Sequence, residues 1–551
     1  MRMRSSIQAL VWEMWASHRR GWLLVLGVLW LCATLYRLFA ALIQHSDAIQ
    51  TLSFAPMIIS LILVMAFCDF TDRDTRGDMA GFPRRLFVFP VRTIVLVMSP
   101  MAYALAVLTG IYCAWAILVY RPLGIDIAIG WPAAVLATGM VFYQAIIWSL
   151  SGFKLVRILV MSLAACVLVS VGCLPWVLAA SRSRQSWEIL LGVLLAVMSL
   201  AGCAAAVIAV EMQRRGGGRG WSRPRTVFDS IPHAIFQPRR AFKSAQQALF
   251  WLEWRRNGLI LPFTVVLTLA LIVGPVSRIN GHGHEETLWT VQWLAILPIL
   301  LAVPIGKGIA KPDFWSLDLA MSSFMATRPV SDGQIIIAKM KAAACSTLLA
   351  WIVLLAVTPL WLCLAADTRD LRSIADNFRL IYSPISQWTI PILMLFIAIL
   401  LTWAFMVNSI WIGLSGRTGL FYSLTSVGMT VFIGGLILIG WCVDHPNQRG
   451  NIIVTLVPYV PWILATLFTG KIVAAASVLV TVHRARVMSG RTINTCLCVW
   501  IAVTSCLAAT AWLISPQVIW LRDLLVLALI LVAPLARLGA SPLAIAQNRH
   551  R

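Results

Sequence analysis

Residues 93–119 read TIVLVMSPMAYALAVLTGIYCAWAILV, 27 consecutive positions without a charged side chain. A bilayer core of about 30 Å is crossed by roughly 20 apolar residues in an α-helix, so this run is long enough to span one. In hydrocarbon only a helix or a closed barrel satisfies every backbone N–H and C=O, and an uninterrupted apolar run with no alternation is the helical solution. Working outward, comparable segments lie near 22–42, 51–68, 131–151, 155–179, 187–211, 257–277, 288–306, 342–366, 389–414, 419–442, 452–482, 495–515 and 520–538. With the first they predict about fourteen transmembrane helices. Hydrophobic residues fill 60% of the 551 positions and charged residues 12%, too little polar surface to clothe a water-soluble body of this length. The expected fold is all-α and polytopic.

The formal net charge of +23 would suggest a nucleic-acid partner in a soluble chain. With the N-terminus placed inside, most of the 44 Lys and Arg residues fall on the cytoplasmic side, as the positive-inside rule requires. The charge is thus a topology signal, and membrane lipids rather than nucleic acid are the expected surroundings. Arg182, Arg184, Arg369, Arg372 and Arg379 are exceptions that mark a candidate re-entrant hairpin. The predicted location is the cell inner (cytoplasmic) membrane, multi-pass, with cytoplasmic N- and C-termini and an uncleaved first segment. All twelve cysteines lie in or beside apolar segments without a CxxC pair and read as membrane-buried thiols. No metal site is expected: His282, His284, Glu285 and Glu286 flank Gly283 and fix no ligand geometry.

The chain repeats itself. Gln8, Ala9, Leu10, Trp12 and Trp15 return as Gln247, Ala248, Leu249, Trp251 and Trp254, an offset of 239, and the same offset carries Pro90 and Val91 onto Pro329 and Val330. A shared register over an opening hairpin predicts duplication. The expected organisation is a permease-like unit over 1–211, a basic cytoplasmic linker over 212–243, a second unit over 244–482, and two additional helices with a tail over 483–551. Six spans per unit is an even number, so both copies enter the membrane in the same orientation. Trp12 with Trp15, and Trp251 with Trp254, share one side of a helix, which suits a helix lying in the membrane interface before each unit.

The most polar stretches between spans are 69–92 and 307–341. The first carries Asp72, Arg73, Asp74, Phe82, Arg84, Arg85 and Phe87; the second carries Lys307, Asp313, Phe324, Arg328, Asp332, Lys339 and Lys341. Charge of both signs mixed with aromatics is expected to form a docking surface for a soluble partner. Arg37 and Lys471 fall within spans, where a central charge costs roughly 2.5–3.5 kcal/mol, so each marks a pathway or an interhelix pair. Arg37 is near enough to a helix end to snorkel.

A pre-span amphipathic helix, a long charged loop between the second and third spans ending in Pro-Val, and six spans per unit together resemble the ABC-2-type transporter permease family. The match is closer in the second half, from Phe324 through Arg328, Pro329, Val330 and Ser331 to Lys339. In the first half Arg92 replaces the Ser, and Val97 or Met98 stands about where the Lys belongs. The resemblance implies two permease units fused in one chain, coupled through Asp72, Arg73, Arg84, Arg85, Pro90, Asp313, Arg328, Pro329 and Lys339 to a separate cytosolic ABC ATPase. It implies an exporter. ATP would act through that partner, since the chain has no GxxxxGK[ST]: Gly306 and Lys307 precede Gly308, and Gly470 and Lys471 precede Ile472. No catalytic residue and no cofactor are expected in this chain, which reads as a non-enzyme. A membrane-embedded enzyme acting on lipid-linked substrates and a non-transporting anchor of a complex remain open at this level.

Overall fold

The computed structural model describes residues 7–16, scattered positions between 19 and 73, 80–150, 154–178, 184–216, 242–270, 284–310, 330–365, 384–417, 457–487, 489–514 and 536–549, with 376, 421 and 424. Among them six helices are long and apolar enough to cross a membrane, within Thr93–Tyr120, Gly130–Ser149, Ile189–Arg214, Asp332–Pro359, Pro391–Leu414 and Pro461–Arg484. Shorter apolar stretches occupy Val156–Leu168, Leu294–Ala310 and Ile493–Cys506. The chain is a helical membrane protein. The expected spans at 22–42, 419–442 and 520–538 fall largely outside the described residues. Two compact units are present: Met1–Ser230 with Trp315–Leu317 and Tyr422–Ile452, and Ile231–Phe314 with Asp318–Phe421 and Ile453–Arg551.

Unit one opens with helix α1 (7–16). A two-residue antiparallel ladder pairs β1 (Asp72–Arg73) with β2 (Ala80–Gly81) and is the only sheet among the described residues. Then follow α2 (Thr93–Ala114), α3 (Gly130–Ser149), α4 (Lys154–Leu178) and α5 (Arg184–Arg214). Small residues bring α3 and α5 together: the Thr138 and Ser199 hydroxyls are 2.9 Å apart, and a Cβ on Gly202 would press on Val141 at 2.8 Å. This is how membrane helices gain contact where lipid offers no hydrophobic drive. Because α5 continues to Arg214, the first residues of the expected linker are helical.

Unit two opens with α6 (Ala245–Glu253), whose N-cap Ser244 accepts from the Gln247 amide at 3.2 Å. A π turn over Trp254–Gly258 leads into α7 (Ile260–Thr268). Then come α8 (His284–Ala310), α9 (Asp332–Ala365), α10 (Pro384–Leu414), α11 (Val460–Arg484), α12 (Gly490–Ile514) and α13 (Ala536–Arg549). Helices α8 and α10 touch backbone to backbone: a Cβ on Gly306 would collide with the Ser409 hydroxyl and the Met406 carbonyl, and one on Gly413 with Ala310.

Helices α2 and α9 can be compared position by position at the offset of 239. Thr93, where α2 starts, maps onto Asp332, where α9 starts. Buried Leu96, Val97, Pro100, Ala104, Leu108, Ile111 and Tyr112 of α2, with Trp115 just after it, map onto buried Ile335, Ile336, Lys339, Ala343, Thr347, Ala350, Trp351 and Leu354 of α9, whereas buried Thr93 and Met101 map onto half-buried Asp332 and Met340. At a different spacing, 264 instead of 239, a buried threonine recurs: Thr138 of α3 and Thr402 of α10 donate to the carbonyls of Ala134 and Ala398 at 2.8 and 2.7 Å. Both helices run into Leu-Ser-Gly, at 150–152 and 414–416.

Those ends are capped differently. In unit one the buried Arg157 donates to the Leu150 carbonyl at 3.1 Å. In unit two the donor to the Leu414 carbonyl, also at 3.1 Å, is Asn548 of α13. Gly416 holds φ at +66°, and a Cβ there would strike the Asn548 carboxamide, so glycine serves both the left-handed turn and the close approach. The tail that the sequence left without a role is therefore a helix of unit two, with Ala544 and Ile545 in the same cluster as Leu249, Ile335, Ile336 and Leu414.

Candidate functional site

In unit one the polar loop is built from its fixed ends inward. The Gln144 amide donates to the Cys68 carbonyl at 3.0 Å and the Trp148 indole donates to the Phe70 carbonyl at 3.0 Å. Asp72 and Arg73 form β1, whose partners in β2 are Gly81 and Ala80. Phe82 is then buried edge-on to the Trp148 ring at 5.2 Å and stacked on Phe87 at 5.8 Å. Leu86 is buried beside it in the 3-10 turn Arg84–Val88. The aromatics expected to be exposed are thus divided. Phe82 is core, because a ring this large buries itself wherever a neighbouring indole offers an edge; the outward apolar tips are Val88, 85% exposed, and Phe89, 49% exposed.

Arg84, Arg85, Pro90 and Arg92 are exposed around those tips. Arg85 pairs with Glu13 of α1 at 2.8 Å. The ridge is held from behind by Arg214, at the end of α5, whose guanidinium donates to the carbonyls of Val91 and Phe89 at 2.6 and 2.8 Å and to the Thr93 hydroxyl at 3.2 Å. Thr93 in turn donates to Glu211, which also binds Arg215 at 2.7 Å. One guanidinium thus fixes two loop carbonyls that no helix ladder could satisfy. The outcome is a braced, exposed ridge with apolar tips in a cationic rim.

In unit two, Asp313, Arg328 and Pro329 lie outside the described residues. The flanks of this loop are tighter than the sequence implied. Lys307 is inside α8 and buried, and Lys339 is inside α9 and buried. The loop itself ends at Ser331, which forms a reciprocal cap with Gln334: the Gln334 amide donates to the Ser331 hydroxyl at 3.4 Å and the Ser331 amide to the Gln334 side chain at 3.3 Å. Lys339 donates to Glu253 of α6 at 3.0 Å and to the Ile309 carbonyl of α8 at 2.8 Å. With the two side chains 8% and 6% exposed, the Lys339 charge faces an internal partner instead of an exposed rim. Lys341 is exposed.

The helices before each unit are also placed. On α1, Leu10 and Met14 are buried while Ile7, Trp12 and Trp15 are about half exposed, a second apolar face suited to the membrane interface. On α6, Trp251 lies 5.4 Å from Phe242 with the Arg255 guanidinium 5.3 Å from its ring centre, and Trp254, the first residue of the π turn, stacks on Phe250 at 6.5 Å. Of the two intramembrane charges singled out, Arg37 lies outside the described residues, and Lys471 is 5.8 Å from the Trp500 ring of α12. That contact makes Lys471 part of an interhelix pairing. The sequence reading missed the Glu253 partner of Lys339, though the signal was present: Glu253 follows Leu249 by one helical turn on the buried face.

No group of three or more His, Cys, Asp or Glu side chains among the described residues is arranged to hold a metal. Compared with family models, curated proteins and solved structures, the chain matches none.

Proposed function

We propose that the chain is the membrane permease subunit of an ABC transporter of the ABC-2 type, driven by a separate cytosolic ATP-binding subunit and acting as an exporter. In this reading two six-span units in parallel orientation, within about fourteen spans, sit in the inner membrane with both termini cytoplasmic. The observation that carries it is the ridge from Arg84 to Arg92: exposed apolar tips ringed by cations, standing directly before a long apolar helix and braced by Arg214. A ridge built this way delivers a push along α2 without deforming, and its charge favours an acidic-rimmed cleft on the ATPase. The matched starts of α2 and α9 are in keeping with a second such loop before α9.

Co-purification from native membranes tests this reading. A Walker-type ATPase is expected to accompany the full chain, and Arg84→Glu with Arg328→Glu to cut its recovery by about tenfold. Purification without any nucleotide-binding subunit would leave the anchor and lipid-linked-enzyme readings in its place.

A further inference from the structure

Glu253, Lys339 and the Ile309 carbonyl join three elements at one point. Glu253 is the last residue of the helix preceding the unit's first span, Ile309 lies at the end of α8 where the second polar loop departs, and Lys339 is two turns into α9 where that loop returns. The Lys339 ammonium, 3.0 Å from the carboxylate and 2.8 Å from the carbonyl, links all three. Any displacement of the loop that shifts α8 against α9 must stretch one of these two bonds. At the offset of 239, Glu253 maps onto Met14 and Lys339 onto Pro100, both buried in unit one. The same joint there is apolar, with Met14 packed among Leu10, Leu96, Val97 and Met101. The acid of α1 stands one position away, at Glu13, on the outer side where Arg85 meets it.

We infer that Glu253 and Lys339 are positioning residues forming a polar joint, through which movement of the second loop repositions α6, and that the equivalent positions of unit one, Met14 and Pro100, carry no such pair. Apolar contacts slide without directional preference, whereas a buried ion pair has one favoured geometry and a steep penalty for partial separation. The joint therefore makes α6 follow the loop, while α1 rests on a contact of constant character. The movement assigned to the joint rests on the permease reading above; the joint itself does not.

Amide hydrogen exchange of the full chain in vesicles, followed over residues 245–253, reads the joint without nucleotide. Glu253→Gln is expected to speed exchange there by about tenfold, and the double variant Glu253→Met with Lys339→Met, which copies the apolar type of unit one, to restore protection to within about twofold. Unchanged exchange in Glu253→Gln would overturn the joint. In the complex recovered with its ATPase, ATP turnover is expected to raise exchange over 245–253 in the wild type. The double variant should lack that rise and hydrolyse ATP about tenfold more slowly. A double variant with the wild-type rise and the wild-type rate would overturn the positioning role, because packing alone would then suffice. If no ATPase accompanies the wild type, the permease reading and the assigned movement fall together, and the nucleotide-free comparison still decides whether the charge pair holds α6.

Discussion

Each unit ties its leading helix to the region around its polar loop with one acid and one base, and the two ties differ in depth. In unit one Glu13 meets Arg85 with the arginine 62% exposed. In unit two Glu253 meets Lys339 with both side chains under 10% exposed. The shift of a single position along the leading helix, from 13 to the equivalent of 14, turns the acid through about 100° and moves it from solvent to core. An exposed pair gains little, because water already solvates both charges. A buried pair has surrendered that solvation, so each charge depends on the other. The first tie is therefore a loose surface clasp and the second an obligatory internal bond, made by bases at unrelated positions, Arg85 in the 3-10 turn and Lys339 within α9.

The sharpest way to break this contrast is to remove one buried charge. Lys339→Met leaves Glu253 uncompensated and should destabilise unit two by about 3–5 kcal/mol, seen as a large fall in thermal unfolding temperature in detergent. Adding Glu253→Met should recover most of that loss, a coupling that a double-mutant cycle measures directly. A smaller effect is expected from Asn548→Ala, which strands the buried Leu414 carbonyl and should cost about 1–3 kcal/mol; faster exchange in the last turn of α10, with α3 unaffected, would show that α13 belongs to unit two. Arg214→Ala should loosen the ridge by a similar amount, about 1–3 kcal/mol, with proteolysis near Phe89 as the readout. The smallest effect belongs to Glu13→Ala, expected to cost below about 1 kcal/mol and to vanish in high salt.

The six long apolar helices among the described residues were legible because an uninterrupted apolar run in lipid has one solution, and α2 starts where residues 93–119 begin. At the offset read from Trp12 and Trp251, several buried positions of α2 recur as buried positions of α9. Depth was not legible. Lys307 and Lys339 read as loop residues because lysine ordinarily marks solvent, yet the partner that lets Lys339 enter the core is 86 residues away. Phe82 read as exposed because its neighbours are charged, and only the fold brings Trp148 beside it. Arg214 read as the start of a basic linker, since nothing local shows that its guanidinium reaches the carbonyls of Phe89 and Val91. In each case the deciding contact is distant in sequence.

The central claim is that a ridge on this chain receives an ATPase, and the rate of ATP hydrolysis tests it most directly. The purified complex in proteoliposomes should hydrolyse ATP at a rate that differs several-fold from that of the isolated ATPase subunit, and Val88→Asp with Phe89→Asp should return the rate to the isolated value at about the same protein concentration. An ATPase whose rate is indifferent to the chain, or a chain whose ridge variant leaves the coupled rate unchanged, would contradict the account.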